Sequence, residues 1–313
     1  MHAEEIDPQA KRAVQRQERM PMPHSRRGLT LLRLVGRAAM WVQNRDTPSV
    51  GRTVDGTIPG PAGDLDARLY LPEGDGPFPT VVFFHGGGYV LGSIGTHDWL
   101  CRHLTRESGC AVLSVEYRLA PEHPFPAAVE DAYAAVEWAA AHPGAIKGDG
   151  QVAVAGDSAG GALAAVAALM AAERDGPEIE HQVLLYPSVG VEPDQPSVKE
   201  HTGLVLSEAD MAWYNECYFE SEIHERNPYA DPTNACDVSG VAPATVVTAG
   251  FDPLRDGGRA YAEQLVDDGV STRYENYEAM VHGFMTFREI DRAHDAIVDV
   301  AGDLADALGV CAA

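Results

Sequence analysis

One serine lies where an apolar run turns sharply into a helical pattern. Ser158 is the centre of the run Gly-Asp-Ser-Ala-Gly at 156–160, between the apolar residues 152–155 and a long alanine-rich segment. Small residues on both sides of a serine permit the tight, strained turn that lifts its hydroxyl above the end of a sheet. We therefore predict that Ser158 is a nucleophile and that the N–H of Ala159, at the start of the helix, stabilises an oxyanion.

A serine hydroxyl becomes a good nucleophile only when a base takes its proton and an acid orients that base. Residues 244–250 and 272–277 are typical of buried strands, and each is followed by a candidate, Asp252 after the first and His282 after the second. Open α/β sheets place functional groups past the carboxyl ends of their strands. We predict Asp252 as the acid and His282 as the base, although Asp252 could instead cap the helix that opens nearby.

A run of three glycines offers further oxyanion donors. His85, Gly86, Gly87 and Gly88 follow the apolar run 80–84, which is typical of a buried strand. Glycines let the backbone aim its N–H groups at a developing negative charge and keep side chains away from the substrate. We predict Gly86 and Gly87 as donors and Gly88 as a supporting residue. His85 precedes the donors, so we interpret it as a structural support for the loop.

Six segments, in order along the chain, resemble the hormone-sensitive-lipase family of carboxylesterases within the α/β-hydrolase fold. They cover most of the chain and are residues 85–89 (HGGGY), 117–122 with 125–128 (YRLAPE and FPAA), 156–160 (GDSAG), 186–187 (YP), 252–256 (DPLRD) and 282–284 (HGF). The resemblance implies a serine carboxylesterase that acts on small-molecule esters and has a cap over its active site. It also allows a homodimer, because relatives often pair through the edge of the sheet.

Strand and helix patterns alternate along the chain. Two alternating segments within 51–72, separated by a Pro/Gly-rich stretch at 59–63, predict a hairpin at the edge of a sheet. Six further strands are predicted at 80–84, 111–117, 151–155, 181–186, 244–249 and 271–277. This order is typical of a mostly parallel central sheet flanked by helices. The predicted organisation is N-terminal cap helices at 1–50, a first core part at 51–187, a cap insertion at 188–228 after the sixth strand, and a second core part at 229–313.

The predicted insertion carries bulky apolar residues that are suited to covering a pocket. Ser207 followed by Asp210 predicts a helix start within it. We expect the substrate pocket to be lined by Tyr89, Val90, Leu91, Leu206, Met211, Trp213, Tyr214 and Phe284. The aromatic members of this set could equally be ordinary core residues.

An amphipathic helix is predicted near the N-terminus. Helical spacing puts Leu31, Val35, Ala38 and Val42 on one face, while Arg33 and Arg37 lie off that face. We expect this apolar face to form part of the cap. Binding to a membrane surface is the alternative for such a helix.

Composition excludes several other classes of protein. The chain has 313 residues, of which 45% are hydrophobic, and lacks an uninterrupted apolar stretch of roughly 18 residues, so we predict no membrane span. The five cysteines lack Cys-x-x-Cys spacing, which favours reduced thiols. The N-terminus is acidic, whereas a secretory signal begins with basic residues, so we expect a cytoplasmic protein. His-Glu-x-x-His and phosphate-loop patterns are missing from the sequence, so we predict neither a metal nor a cofactor.

The chain is strongly acidic. It carries 47 acidic against 23 basic residues, a formal net charge of −24, and its lysines are Lys11, Lys147 and Lys199. Such a charge repels the phosphate backbone, so nucleic acid is excluded as a partner. Dense carboxylates and scarce lysine favour adaptation to high salt, where ions screen repulsion within the molecule.

These observations together predict serine-dependent hydrolysis of carboxylic esters with short to medium acyl chains. Two alternatives use the same parts. One is a ligand-binding protein of the same fold that lacks catalysis, against which His282 argues. The other is a hydrolase of amides, peptides, lactones or thioesters, which would need the same nucleophile, base and oxyanion donors.

Overall fold

An eight-stranded sheet runs through the molecule. The structure, a computed structural model, describes residues 3, 5–17, 22–43 and 47–310. Its strands are β1 (Arg52–Gly60), β2 (Gly63–Leu71), β3 (Phe78–Phe84), β4 (Ala111–Val115), β5 (Gly148–Asp157), β6 (His181–Leu185), β7 (Ala244–Phe251) and β8 (Thr272–Val281). Their order in the sheet is β1-β2-β4-β3-β5-β6-β7-β8. The hairpin of β1 and β2 joins β4 in antiparallel fashion and all other neighbours pair in parallel, which confirms the predicted fold.

Ten α-helices of the described residues surround this sheet or cap it. They are α1 (Pro8–Gln17), α2 (Arg26–Gln43), α3 (Ile94–Ser108), α4 (Ala127–Ala141), α5 (Ala159–Glu173), α6 (Pro196–His201), α7 (Glu208–Tyr218), α8 (Glu222–Glu225), α9 (Arg255–Asp267) and α10 (Asp291–Ala307). Within these described parts of the chain, none is long and apolar enough to cross a bilayer.

Both faces of the sheet are buried. Along β3, Val81 and Phe83 point into a core shared with α3 and α10, whereas Val82 and Phe84 point into a second core shared with α4 and α5. Side chains of a strand alternate between faces, so a strand covered on both sides reads as one continuous apolar run. That is why this strand could be predicted from its sequence.

Helix α5 is buried along almost its whole length. Residues 159–171 are all buried, and most of them are alanine or glycine. Alanine favours the helix intrinsically, and its short side chain lets the helix axis approach the sheet. The helix therefore holds a fixed position directly after Ser158.

Three helices, α6 to α8, lie between β6 and β7, where the cap insertion is predicted. Ser207 begins α7 with a capping box: its hydroxyl accepts the N–H of Asp210 at 3.0 Å, and the Asp210 carboxylate accepts the N–H of Ser207 at 3.2 Å. The predicted helix start is thus confirmed.

The N-terminal helix α2 presents the opposite face from the one predicted. Leu31 is 61% exposed and Val35 is 55% exposed, whereas Leu29 is fully buried. Arg33 points inward and donates to the carbonyl oxygens of Val90 at 2.7 Å and Ala120 at 2.7 Å. The guanidinium binds these loop carbonyls strongly. Its hydrogen bonds, and not the apolar periodicity of the helix, therefore set which face of the helix points inward. The side chains of Arg37, Ala38 and Val42 lie outside those described, as does Cys311.

Candidate active site

Ser158 occupies a strained turn between β5 and α5. Its backbone has φ 52° and ψ −120°, a conformation that residues other than glycine rarely adopt. A Cβ on Gly156 would lie 2.1 Å from the carbonyl oxygen of Gly160, and a Cβ on Gly160 would lie 2.0 Å from that of Phe84. Both glycines are therefore required by close backbone contacts, and they hold the serine at the carboxyl end of the sheet.

The structure brings Ser158, His282 and Asp252 into contact. His282 follows β8, and its Nε2 lies 2.9 Å from the Ser158 Oγ while its Nδ1 lies 2.8 Å from the Asp252 Oδ2. Asp252 follows β7, is fully buried, and its Oδ1 accepts the N–H of Leu254 at 2.8 Å. A neutral imidazole that donates its Nδ1–H to Asp252 presents the lone pair of Nε2 to the serine hydroxyl.

The glycine loop differs from the prediction at one donor. The N–H of Gly86 is donated to the Asp157 Oδ1 at 2.8 Å, so it points away from the substrate and the assignment of Gly86 is corrected. Among the described residues, the N–H groups of Gly87 and Gly88 have no hydrogen-bond acceptor. Gly87 has φ 124° and a Cβ there would lie 2.4 Å from the Leu91 carbonyl oxygen. The loop can therefore present the amides that follow Gly86 to a bound ligand.

His85 lies under this loop, where we predicted a supporting residue. It is fully buried, its Nδ1 lies 2.9 Å from the carbonyl oxygen of Gly86, and its ring stacks on Tyr117 at 4.3 Å. Burial, together with the neighbouring His97, lowers the pKa of His85 to about 3. The imidazole is thus neutral at pH 7 and packs as an aromatic ring.

Asp157 and His97 form a buried ion pair beside the nucleophile. The Asp157 Oδ1 lies 3.0 Å from the His97 Nε2, and both side chains are less than a tenth exposed. Burial works against both charges, but the partner's charge and hydrogen bond outweigh it, so the pKa of Asp157 is lowered and that of His97 is raised. From the sequence alone we assign Asp157 no role of its own. Its position at the buried end of β5 was the signal that a carboxylate there needs a partner.

We expect Asp157→Asn to weaken both the fold and the turnover. The carboxamide oxygen can still accept the Gly86 N–H, but His97 loses its counter-charge, a change that costs about 3 kcal/mol in the free energy of unfolding. The glycine loop shifts with it, and kcat falls about ten- to a hundred-fold. Urea denaturation and steady-state kinetics measure the two effects, with the exposed Asp64→Asn as the matched control. Equal stability of the two variants would contradict the role of this ion pair.

The difference in stability between wild type and Asp157→Asn should depend on pH with a definite sign. The contribution of Asp157 is present above its unfolded pKa of 3.8 and is lost as the pH falls through its lowered folded pKa. The contribution of His97 is complete below its unfolded pKa of 6.5 and is lost as the pH rises through its raised folded pKa. The stability difference between wild type and Asp157→Asn should therefore be largest between these two values and shrink in alkali.

A cavity of about 450 Å³ opens over Ser158 and His282. The structure places five of the expected pocket residues on its wall, namely Tyr89, Leu91, Leu206, Met211 and Tyr214. The sequence reasoning missed Val191, Val205, Leu254 and Phe287, because they come from four separate segments whose convergence is a tertiary property. The wall is thus mainly apolar, and helix α7 contributes residues to it.

Three expected pocket residues lie elsewhere. Val90 and Phe284 are fully buried in the core, where Phe284 packs between Tyr186 and Tyr277 at ring distances of 5.8 and 5.2 Å. Trp213 faces His24 at 5.6 Å instead of the cavity. A helix presents adjacent residues in directions about 100° apart, so Tyr214 on the wall places Trp213 off it.

Comparison with known proteins adds to this geometry. A sequence family described as alpha/beta hydrolase fold matches residues 81–286, more than half of the chain. The chain is 44% identical over 246 residues to the carboxylic ester hydrolase LipN of Mycobacterium tuberculosis, covering 75% of this chain and 65%, slightly less than two thirds, of LipN. It is 41% identical over 242 residues to the esterase LipI of the same organism, covering 75% of this chain and 76% of LipI.

A solved structure is similar over almost the whole chain. An esterase of Pyrobaculum calidifontis superposes with a TM-score of 0.88 at 39% identity, covering 96% of this chain and 98% of that one. Sequence identity and coverage at these levels show membership of the same family, and not only a shared fold. The chain belongs to the hormone-sensitive-lipase family of carboxylic ester hydrolases, within the α/β-hydrolase fold.

Proposed function

We propose that this protein hydrolyses uncharged carboxylic esters through an acyl-enzyme formed on Ser158. The observation that carries the proposal is the continuous contact from the Ser158 hydroxyl through His282 to Asp252, at 2.9 and 2.8 Å. His282 takes the serine proton as the hydroxyl attacks the ester carbonyl, and Asp252 stabilises the imidazolium that results. His282 then protonates the leaving alcohol and activates the water that releases the acid.

The oxyanion is stabilised by the amides of Gly87, Gly88 and Ala159 in this proposal. Gly86 instead fixes the loop through Asp157, which leaves the next two amides as donors. Ala159 is the first residue of α5, so its N–H has no partner inside the helix and the positive end of the macrodipole adds to it. Loss of one such donor typically costs about a hundred- to a thousand-fold in kcat.

The cavity supports substrates with short to medium, neutral acyl groups. Its volume of about 450 Å³ is in the size range of small-molecule sites. Among the described residues its wall contains no lysine, arginine or glutamate, and its charged groups Asp157 and His97 are paired with each other. A charged acyl group would therefore lose its hydration without gaining a partner. We take the cap to consist of residues 1–50 and 188–228, the latter contributing Leu206, Met211 and Tyr214 to the wall.

A probe and a matched set of substrates test this function. A fluorophosphonate should label Ser158, identified by peptide mass spectrometry, and butyryl p-nitrophenyl ester should be hydrolysed while the matched butyryl anilide is not. A succinyl ester of similar length should have a kcat/KM lower by about tenfold or more. A chain that binds esters but stays unlabelled would be a binding protein, and faster cleavage of the anilide would make it an amidase.

We further propose that the protein is adapted to high salt. Its net charge of −24 creates repulsion that ions reduce by shortening the Debye length from about 10 Å at 0.1 M to about 3 Å at 1 M. The melting temperature should therefore rise by several degrees between 0.1 and 2 M KCl, and esterase activity should persist at 2 M. Sucrose of equal osmolality is the control for exclusion effects. Full stability and activity in dilute buffer, without further gain in KCl, would refute this adaptation.

Cytoplasmic location and dimerisation are also part of the proposal. Cys101, Cys110, Cys217 and Cys236 are free thiols, which agrees with a reducing compartment. Strand β8 is one of the two edge strands of the sheet, and an edge strand can pair with that of a second copy. Cell fractionation and light scattering of the purified protein test the two statements.

A further inference from the structure

Three side chains of metal-ligand type meet between α3 and α10. His103 and Glu107 are one helical turn apart on α3, and His294 lies on α10. One ligand atom from each lies within 4.8 Å of the other two. None of the three lines the cavity over Ser158, so the cluster is separate from the proposed catalytic residues.

The two imidazoles carry buried nitrogens without partners. The Nδ1 atoms of His103 and His294 are both inaccessible and make no hydrogen bond within the described structure. His103 is 7% exposed, and its Nδ1 lies 3.8 Å from the nearest Glu107 oxygen, too far for a hydrogen bond. Both nitrogens are therefore available to a ligand that enters between the two helices.

Packing holds the rings close together. The His103 ring lies 4.8 Å from the His294 ring and 4.4 Å from the Trp99 ring, both in edge-to-face contact. The packing of α3 against α10 therefore holds the two imidazoles side by side.

Charged groups around the cluster are compatible with a cation. Arg106 donates to Glu107 at 2.9 Å, but its side chain is 45% exposed and can turn into solvent. Glu107 itself is one quarter exposed, which gives an ion a route of entry.

We propose that His103, Glu107 and His294 bind a zinc ion that joins α3 to α10. Two imidazoles and one carboxylate are ligands that zinc accepts, and the fourth tetrahedral position is left for water. Ligand atoms around zinc are about 3.4 Å apart, so the three groups must close in by side-chain rotation. The sequence search missed this site because it required paired cysteines or His-Glu-x-x-His, whereas here a His-x-x-x-Glu pair meets a distant histidine.

Calorimetric titration of chelator-stripped protein with Zn²⁺ tests the site. Wild type should bind one zinc ion per chain, and its melting temperature should rise by about 4 °C at a hundred-fold excess over Kd. The variants His103→Gln and His294→Gln should each weaken binding at least about tenfold, whereas His123→Gln, an exposed histidine elsewhere, should bind like wild type.

A second readout distinguishes this site from other metal ligands. Co²⁺ should give the visible absorption of a tetrahedral nitrogen and oxygen site in wild type and in His123→Gln, and lose it in both ligand variants. His294 is partly exposed, so His294→Gln remains informative if His103→Gln fails to fold. Absence of binding by wild type, or equal binding by wild type and His294→Gln, would overturn the proposal, since zinc would then occupy another place such as His282.

Discussion

Ser158→Ala is expected to reduce ester hydrolysis by at least about 10⁴-fold while leaving the protein folded. The hydroxyl makes one side-chain contact, at 2.9 Å to His282, and the strained backbone is held by its glycine neighbours and by the N–H of Ser158, which donates to Leu185. Removal of one oxygen therefore deletes the nucleophile with little effect on packing. Steady-state hydrolysis of p-nitrophenyl butyrate, together with circular dichroism and the melting temperature, measures both parts of this expectation.

A second serine of the cavity provides the matched control. Ser188 also lines the wall, so Ser188→Ala makes the same chemical change in the same cavity. We expect it to retain activity within about tenfold of wild type, since it lies outside the contact from Ser158 to Asp252. Undiminished turnover by folded Ser158→Ala would remove the acyl-enzyme mechanism.

Asp252→Asn is expected to lower kcat by about 10⁴-fold with little change in stability. The N–H of Leu254 donates to Oδ1, so the carboxamide oxygen should stay at that position and the new NH₂ group should face His282. It would donate to Nδ1 and force the imidazole into the tautomer whose Nε2 carries the proton. That nitrogen can no longer accept the proton of Ser158.

A variant of a neighbouring carboxylate distinguishes the effect on the His282 tautomer from a general loss of negative charge. Asp256 lies on α9 and pairs with Arg255 and the N–H of Ser197, away from the imidazole. Asp256→Asn should keep kcat within about tenfold of wild type. Similar losses in both variants would mean that Asp252 acts only through local structure, as a cap for the helix that follows.

The sequence was most informative where chemistry depends on a local pattern. A strand, a serine between small residues and a helix are consecutive in the chain, and the positions of Asp252 and His282 follow from strands that end nearby. The family resemblance and the fold are confirmed. Each of these features needs only short-range information or the rule that parallel strands end at one edge.

The predictions failed where a neighbour distant in sequence decides the outcome. Gly86 and Gly87 look alike in the chain, but Asp157 on another strand takes the amide of the first. Apolar periodicity predicted that Leu31 is buried, but Leu31 is exposed because Arg33 points inward and donates to the carbonyl oxygen of Val90. Hydrophobicity alone could not separate Phe284 in the core from Phe287 on the cavity wall.

The order of the strands has a consequence during synthesis. Ser158 and Asp252 follow β5 and β7, whereas His282 follows β8, which is the last strand to emerge and lies at one edge of the sheet. A nascent chain in which the turn at Ser158 has been synthesised still lacks His282, the base that would activate the serine. Hydrolytic activity is therefore expected only once β8 has joined the sheet, whether the chain is newly made or refolded.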